Sequence, residues 1–253
     1  MLVAEFVSTP IFPFADRASV PLAVLVETRM DLAVEFSKRA PWITRFAING
    51  VESGGSYDPN DIRIPQFLGH FPNVRTILEL GSLEGGQTFL LARCPGVEQV
   101  LAIEGRASNI EKANFVRSLL GITNVEFRQA NLEQVNLTTF GQFDAVFCCG
   151  ILYHLPEPWK LIQQAPQVAP RLFLWTVYAE DEEASLEVDG LRGREHNEGG
   201  PDEPRSGLSP KSIWLTFDSL LELVRRSRYR TINVIEKAKG PYGSTVTLAA
   251  SLN

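Results

Sequence analysis

A chain of 253 residues, 44% hydrophobic and 21% charged, can bury one large core and is not a disordered protein. No apolar run approaches the roughly 20 residues that cross a bilayer, so no membrane partner is expected. The net charge of −6 comes with no basic stripe, which argues against a nucleic-acid partner.

The start, Met1-Leu2-Val3-Ala4-Glu5-Phe6, lacks a basic region and is interrupted by an acid, unlike a secretory signal. Leu22 to Lys38 reads as a helix, with apolar residues at helical spacing. Ile43 to Ile48 alternates like a strand, and Asn49-Gly50 and Ser53-Gly54-Gly55 punctuate a loop. Asp61 is placed to cap a short helix running to about Phe71.

From Arg75 onward, strands and helices alternate. The expected strands are Thr76–Leu80, Gln99–Ile103, Val125–Gln129, Phe143–Cys149, Leu172–Val177, Thr231–Ile235 and Thr245–Ala250. Helices are expected at Gly86–Arg93, Ser108–Leu120, Pro156–Gln164 and Pro210–Arg226. Apolar strands alternating with helices predict an α/β fold: a doubly wound, Rossmann-like, seven-stranded sheet, mostly parallel. The last two strands lie too close in sequence for a helical crossover and predict an antiparallel hairpin. Residues 1–71 read as a separate N-terminal helical cap on a domain spanning 72–253.

Glu180 to Arg205 holds ten acids and three arginines, which leaves the rest of the chain close to neutral. With Gly190, Gly193, Gly199, Gly200, Pro201 and Pro204, the stretch 180–209 reads as a long mobile loop, a lid over the site or a disordered excursion. The three cysteines are odd in number, and Cys148 and Cys149 are adjacent in an apolar run. That favours small core residues over a disulfide or a nucleophile, and a reducing cytoplasm over an oxidising compartment. No His/Cys/Asp cluster has metal-ligand spacing, so no metal is expected.

The most telling run is Thr76-Ile77-Leu78-Glu79-Leu80-Gly81-Ser82-Leu83-Glu84-Gly85-Gly86. A strand ends beside an acid, then turns through glycines into a helix, as when a ligand approaches the backbone closely. A phosphate cradle is excluded, because the Lys-Ser/Thr ending is absent and Glu79 would repel a pyrophosphate. A cationic ligand suits that carboxylate, and S-adenosylmethionine (SAM) is one. The other reading is a ligand-free turn of some other α/β protein. Acids or amides also follow the next two strands, Glu104 after Val100–Ile103 and Asn131 after Val125–Ala130.

After these, Cys149-Gly150-Ile151-Leu152-Tyr153-His154-Leu155 with Pro158 resembles the branch of class I SAM-dependent methyltransferases that includes the tRNA wobble-uridine carboxymethyltransferases. The resemblance covers about Pro72 to the C-terminus. It implies a SAM site at the carboxyl ends of the first four strands, built from Glu79, Gly81, Ser82, Gly85, Glu104, Gly105, Asn131, Leu132, Cys149 and Gly150. Glu79 would meet the ammonium, Glu104 the ribose hydroxyls, and Asn131 with the Leu132 amide the adenine. Arg63 is a candidate for the methionine carboxylate or for a surface ion pair. Glu104 also reads as a solvated acid, and Asn131 as a turn cap. The sequence departs from the usual pattern at Leu83, where glycine is common, and at Asn131, where aspartate is common. His154 and Tyr153 are the candidates for orienting or deprotonating an acceptor, with a structural role for His154 as the alternative. The expected activity is methyl transfer to a small-molecule acceptor. The alternatives are a tRNA-modifying transferase and a cofactor-binding regulator without transfer activity.

Overall fold

The computed structural model describes residues 31–60, 62–240 and 243–253. Residues 31–38 form helix α1, and residues 22–30 of the expected Leu22–Lys38 helix lie outside the described residues. The expected strand at 43–48 is reduced to β1 (Ala47–Ile48), which pairs with β2 (Val51–Glu52) around Asn49-Gly50. Both turn residues have positive φ, 51° and 76°, as a tight hairpin requires. Helix α2 (Arg63–His70) follows, and the proposed cap, Asp61, falls outside the described residues.

The remaining elements are β3 (Thr76–Leu80), α3 (Gly86–Ala92), β4 (Gln99–Glu104), α4 (Ala107–Leu120), β5 (Val125–Gln129), β6 (Ala145–Cys149), α5 (Pro158–Val168) and β7 (Arg171–Tyr178). Then come β8 (Leu186–Val188), β9 (Leu191–Asn197), β10 (Lys211–Leu215), α6 (Phe217–Arg226), β11 (Thr231–Gly240) and β12 (Gly243–Ser251). Seven strands form one sheet in the order β11-β12-β7-β6-β3-β4-β5. Strands β3 to β7 are parallel, and β12 is antiparallel to both β7 and β11, giving the expected hairpin. The ladder between β11 and β12 shifts register between Val234 and Glu236, a bulge on the outer strand.

Strand order reverses between β3 and β6. The chain walks outward through β4 and β5 on one side, then returns to β6 and β7 on the other. In open α/β sheets that reversal leaves a crevice at the strands' carboxyl ends. Leu78, Leu80, Leu101, Ile103, Val146 and Cys148 bury one face of the sheet. Ile77, Val100, Phe147 and Phe173 bury the other, where Phe67 of α2 packs edge-on to Phe147 and Phe173 at 5.4 and 5.6 Å. Leu32, Phe36, Trp42, Phe46 and Ile48 share a cluster with Phe89 of α3 and Val116 of α4, which seats residues 31–60 on the sheet domain.

Two expectations are corrected. The stretch 180–209 is not a structureless loop: β8 and β9 pair across Asp189-Gly190, which has φ of 52° and 75°, and β10 completes a three-stranded antiparallel sheet. Charged residues on the exposed face hid the alternation of Leu191 and Gly193, which are buried. The expected helix Pro210–Arg226 is β10 followed by α6. Lys211-Ser212-Ile213-Trp214-Leu215 alternates as a strand, and the Thr216 side chain accepts from Ser219 N to start the helix. Helix α5 also starts later and ends later than expected, with Pro158 in its first turn.

Candidate active site

Strand β3 delivers its turn into the crevice between β6 and β4. Gly81, Leu83 and Gly85 all have positive φ, 78°, 52° and 84°. A Cβ on Gly81 would lie 2.8 Å from Ile151 Cβ, and one on Gly85 2.9 Å from the Phe127 and Phe89 rings. These glycines are therefore required by the packing as well as by φ. Leu83 adopts the left-handed conformation despite its side chain, at a cost of about 1–2 kcal/mol. Its N–H donates to Glu104 Oε2 at 2.9 Å, which helps to hold the turn. The Gly81 and Ser82 amides both donate to Ile103 O, at 2.9 and 3.1 Å.

Three carboxylates surround the turn, and each does something different. Glu79 is 2% exposed, and burial, with the Glu104 charge adding to it, pushes its pKa up to about 7. Its Oε2 lies buried without a hydrogen-bond partner, as does Ser82 Oγ of the same turn, while the Thr88 hydroxyl of α3 works against the rise. Buried polar groups are nearly always satisfied, so these orphaned atoms fit a ligand that brings donors and a positive charge, as SAM does. Glu84 is fully buried and accepts from Ile43 N, Thr44 N at 2.6 Å and Lys112 Nζ at 2.9 Å. It ties the segment before β1 to the turn. Glu104 is buried rather than solvated. Its Oε1 accepts from Arg106 N at 2.9 Å and Asn109 Nδ2 at 3.2 Å, and burial raises its pKa against those bonds. Its contacts leave Oε2 the less engaged oxygen.

Farther along the rim, Gly105 lies under Leu208, whose Cδ1 would be 2.8 Å from an added Cβ. Asn131 Oδ1 accepts from Glu133 N at 2.9 Å, the local turn that its cap reading anticipates. The Leu132 side chain is buried in the core. Cys149 is buried and Gly150, with φ of 85°, donates to Trp175 O at 3.1 Å; a Cβ at Gly150 would meet nothing within 4 Å. Burial pushes the Cys148 thiol up to about 12, which leaves it a core residue and not a nucleophile. The Arg63 guanidinium lies 4.7 Å from the Trp175 ring centroid and donates to Tyr57 Oη at 2.9 Å. Among the described residues no group of three or more His, Cys, Asp and Glu could hold a metal ion.

The short turn after β6 (Leu152–His154) carries the two candidates for acceptor chemistry. His154 Nδ1 lies 3.0 Å from Glu198 Oε2. Glu198 also accepts from Ser206 Oγ, Gly207 N and Ser212 Oγ at 2.6–2.7 Å. Burial opposes its charge, but bonds from His154, Ser206, Gly207 and Ser212 outweigh it and hold its pKa well below the carboxylate range. A carboxylate only accepts, so His154 donates through Nδ1. Tyr153 packs edge-on to Trp175 and Trp214 at 6.0 and 6.3 Å. Trp214 carries His196 stacked at 4.3 Å and the Arg194 guanidinium at 4.1 Å, and its buried Nε1 has no partner.

The sequence singled out Glu79, Glu104 and His154 as candidates, and the structure adds Glu84, Glu198 and Trp214 beside them. Glu84 stood in the quoted turn and was legible as a second acid there. Glu198 lies 44 residues from His154, in a stretch without local signal.

A family model described as a methyltransferase domain matches residues 73–173. The N-terminal domain of EvdMO1, crystallised in the presence of SAH and D-fucose, is 32% identical. Its TM-score is 0.81, and the match covers 89% of this chain and 97% of that one. Intact EvdMO1 is 31% identical with a TM-score of 0.70; the match covers 88% of this chain and 47% of that longer chain. YcgJ from Bacillus subtilis, at 11% identity, TM-score 0.55 and coverage of 75% and 97%, shares the fold alone. A search of curated proteins finds no match. With a strand order, a glycine turn and a buried acid of this kind, and a relative this similar over nearly its whole length, the chain belongs to the class I SAM-dependent methyltransferases.

Proposed function

We propose that this methyltransferase acts on a hydroxyl of a small, carbohydrate-like acceptor, with His154 as the base. The observation that carries the reading is the pairing of His154 with the charged Glu198 at the end of β6. With Nδ1 donating to Glu198, Nε2 keeps its lone pair and is the atom that takes the acceptor proton. Tyr153 and Trp175, both half-buried and packed edge-on, form an aromatic wall beside it, of the kind on which sugar rings stack, backed by the buried Trp214. The related EvdMO1 domain, studied with D-fucose, supports a deoxyhexose as the acceptor class.

When bound, SAM supplies an activated methyl group on its sulfonium. Glu79 would balance the ammonium, the Ser82 and Thr88 hydroxyls would add bonds, and the glycine turn would bring its backbone close. Glu104 would take the ribose hydroxyls, Gly105, Asn131 and Leu132 would hold the adenine, and Cys149 and Gly150 would stand at the methyl end. Arg63, held against Trp175 and Tyr57, is the candidate cation for the methionine carboxylate. Residues 31–60 would cap this site, anchored through Glu84 and the cluster with Phe89 and Val116. His154 orients the acceptor hydroxyl and holds its proton as the oxygen–methyl bond forms and the sulfur–methyl bond breaks. The run at Cys149–Leu155 resembles the tRNA enzymes, but a net charge of −6 without a basic stripe does not favour an RNA acceptor.

The test is methyl transfer from SAM to D-fucose and related deoxyhexoses, followed by mass spectrometry. His154→Ala should lower turnover by about 10²–10⁴-fold while SAH affinity holds. No methylated sugar from any deoxyhexose would overturn the acceptor class. Undiminished turnover per folded His154→Ala molecule would remove the base.

A further inference from the structure

In the connection between β9 and β10, residues 198–209 are fastened at the carboxyl ends of three successive strands. After β4, the Arg106 Nε donates to Pro201 O at 3.1 Å. Its Nη2 is ringed by the carbonyls of Gly200, Glu203 and Ser206 at 2.9–3.1 Å, with Gly207 O at 3.5 Å. After β5, Glu133 accepts from Ser209 N at 3.0 Å and Ser209 Oγ at 2.7 Å. After β6, His154 meets Glu198, which also accepts from Ser206 and Gly207.

Converging carbonyl dipoles repel one another unless a cation sits among them, so the shape of this strap depends on Arg106. The backbone N–H of Arg106 in turn donates to Glu104, the acid at the end of β4. Leu208 presses on Gly105, and Gly105 has no left-handed φ that would by itself call for glycine. The glycine there makes room for the strap.

We infer that residues 198–209 are the cover of the cofactor's adenosine end, latched by Arg106, and that the same strap carries Glu198 to His154. Arg106 and Glu198 are then positioning residues: cover and base are set in place together. The inference rests on the SAM site proposed above. Cofactor enters before the strap latches, and His154 is aligned only beneath a latched strap.

The experiment uses SAH as the probe, with the intact chain and its Arg106→Ala, Arg106→Lys and Leu208→Ala variants. Stopped-flow measurements should show SAH leaving Arg106→Ala about 10–100-fold faster, with lysine restoring only part of the residence time. Leu208→Ala, which keeps the latch, should also shorten residence. In hydrogen exchange, SAH should protect the amides of 199–208 in the unaltered protein. Arg106→Ala should lose that protection while β3 and β4 keep theirs. The nitrogen resonances of His154 should report a fixed Nδ1–H form in the unaltered protein and a mixture of forms in Arg106→Ala. If Arg106→Ala releases the strap but SAH residence and the His154 signals do not change, the inference is overturned. If Arg106→Ala fails to fold, unchanged residence in Leu208→Ala overturns it instead. Failure of the unaltered protein to bind SAH at all would count against the cofactor site, a separate result from either of these.

Discussion

At the scale of single residues, Glu79 makes the sharpest prediction. Burial raises its pKa from 4.5 to about 7, so the folded protein keeps a proton that the unfolded chain releases above pH 4.5. The folded state binds more protons between about pH 4.5 and 7, and stability falls across that window as pH rises. A shift of this size corresponds to about 3 kcal/mol, fully lost once pH passes 7. An ammonium placed beside the carboxyl favours its charged form, so SAH binding below pH 7 should expel the proton and tighten as pH rises. Calorimetry at pH 6 in buffers of different ionisation heat should reveal that release, and Glu79→Gln should abolish it. Glu84 differs because its partners are already in place. Glu84→Gln should weaken the hold on Ile43, Thr44 and Lys112 and cost about 1–3 kcal/mol, read from denaturant unfolding. Glu79 and Glu104 stand out in the sequence because each is an acid at or beside the end of an apolar strand. Glu198 and Arg106 were not, since their partners lie 44 and about 95–100 residues away and nothing local marks them.

At the scale of elements, the parallel strands β3, β4, β6 and β7 were legible because they are largely buried on both faces and read as apolar runs. The sheet β8–β9–β10 was not, because one face is solvated and its acids and arginines resemble a loop composition. Its hairpin signal was present in Asp189-Gly190, whose positive φ values match a two-residue turn. Gly190→Val should therefore destabilise this hairpin by about 1–2 kcal/mol, because a β-branched residue is strained at φ 75°. Hydrogen exchange across Leu186–Asn197 should rise while exchange in β3, β4 and β6 stays the same. Unchanged protection there would show that the hairpin is held by its packing and not by its turn.

At the scale of the whole molecule, the proposed site draws on widely separated segments: the residues before β1 through Glu84, the ends of β3, β4, β5 and β6, and the strap. A ligand that bridges these parts should stabilise all of them together. SAH at a hundredfold excess over its dissociation constant should add about 2.7 kcal/mol. For a domain of this size that raises the melting temperature by roughly 5–10 °C. A single transition shifted as a unit is expected in calorimetry, and a split transition would show that the segment before β1 melts independently of the site.

The bulge on β11 governs how copies of the protein meet in concentrated solution. A ten-residue outer strand with free backbone groups invites a second copy to extend the sheet. Here the register shift after Val234 twists the strand, and Glu236, Lys237 and Lys239 set charge along it. The opposite edge, β5, is only five residues long and carries Glu126 and Arg128 paired with each other. Both margins of the sheet are thus poor templates for strand addition, and the protein should resist forming cross-strand aggregates. Replacing Glu236 and Lys239 with valine would remove that defence on one side only. Light scattering on warming would then report aggregation well below the temperature at which the unaltered chain scatters.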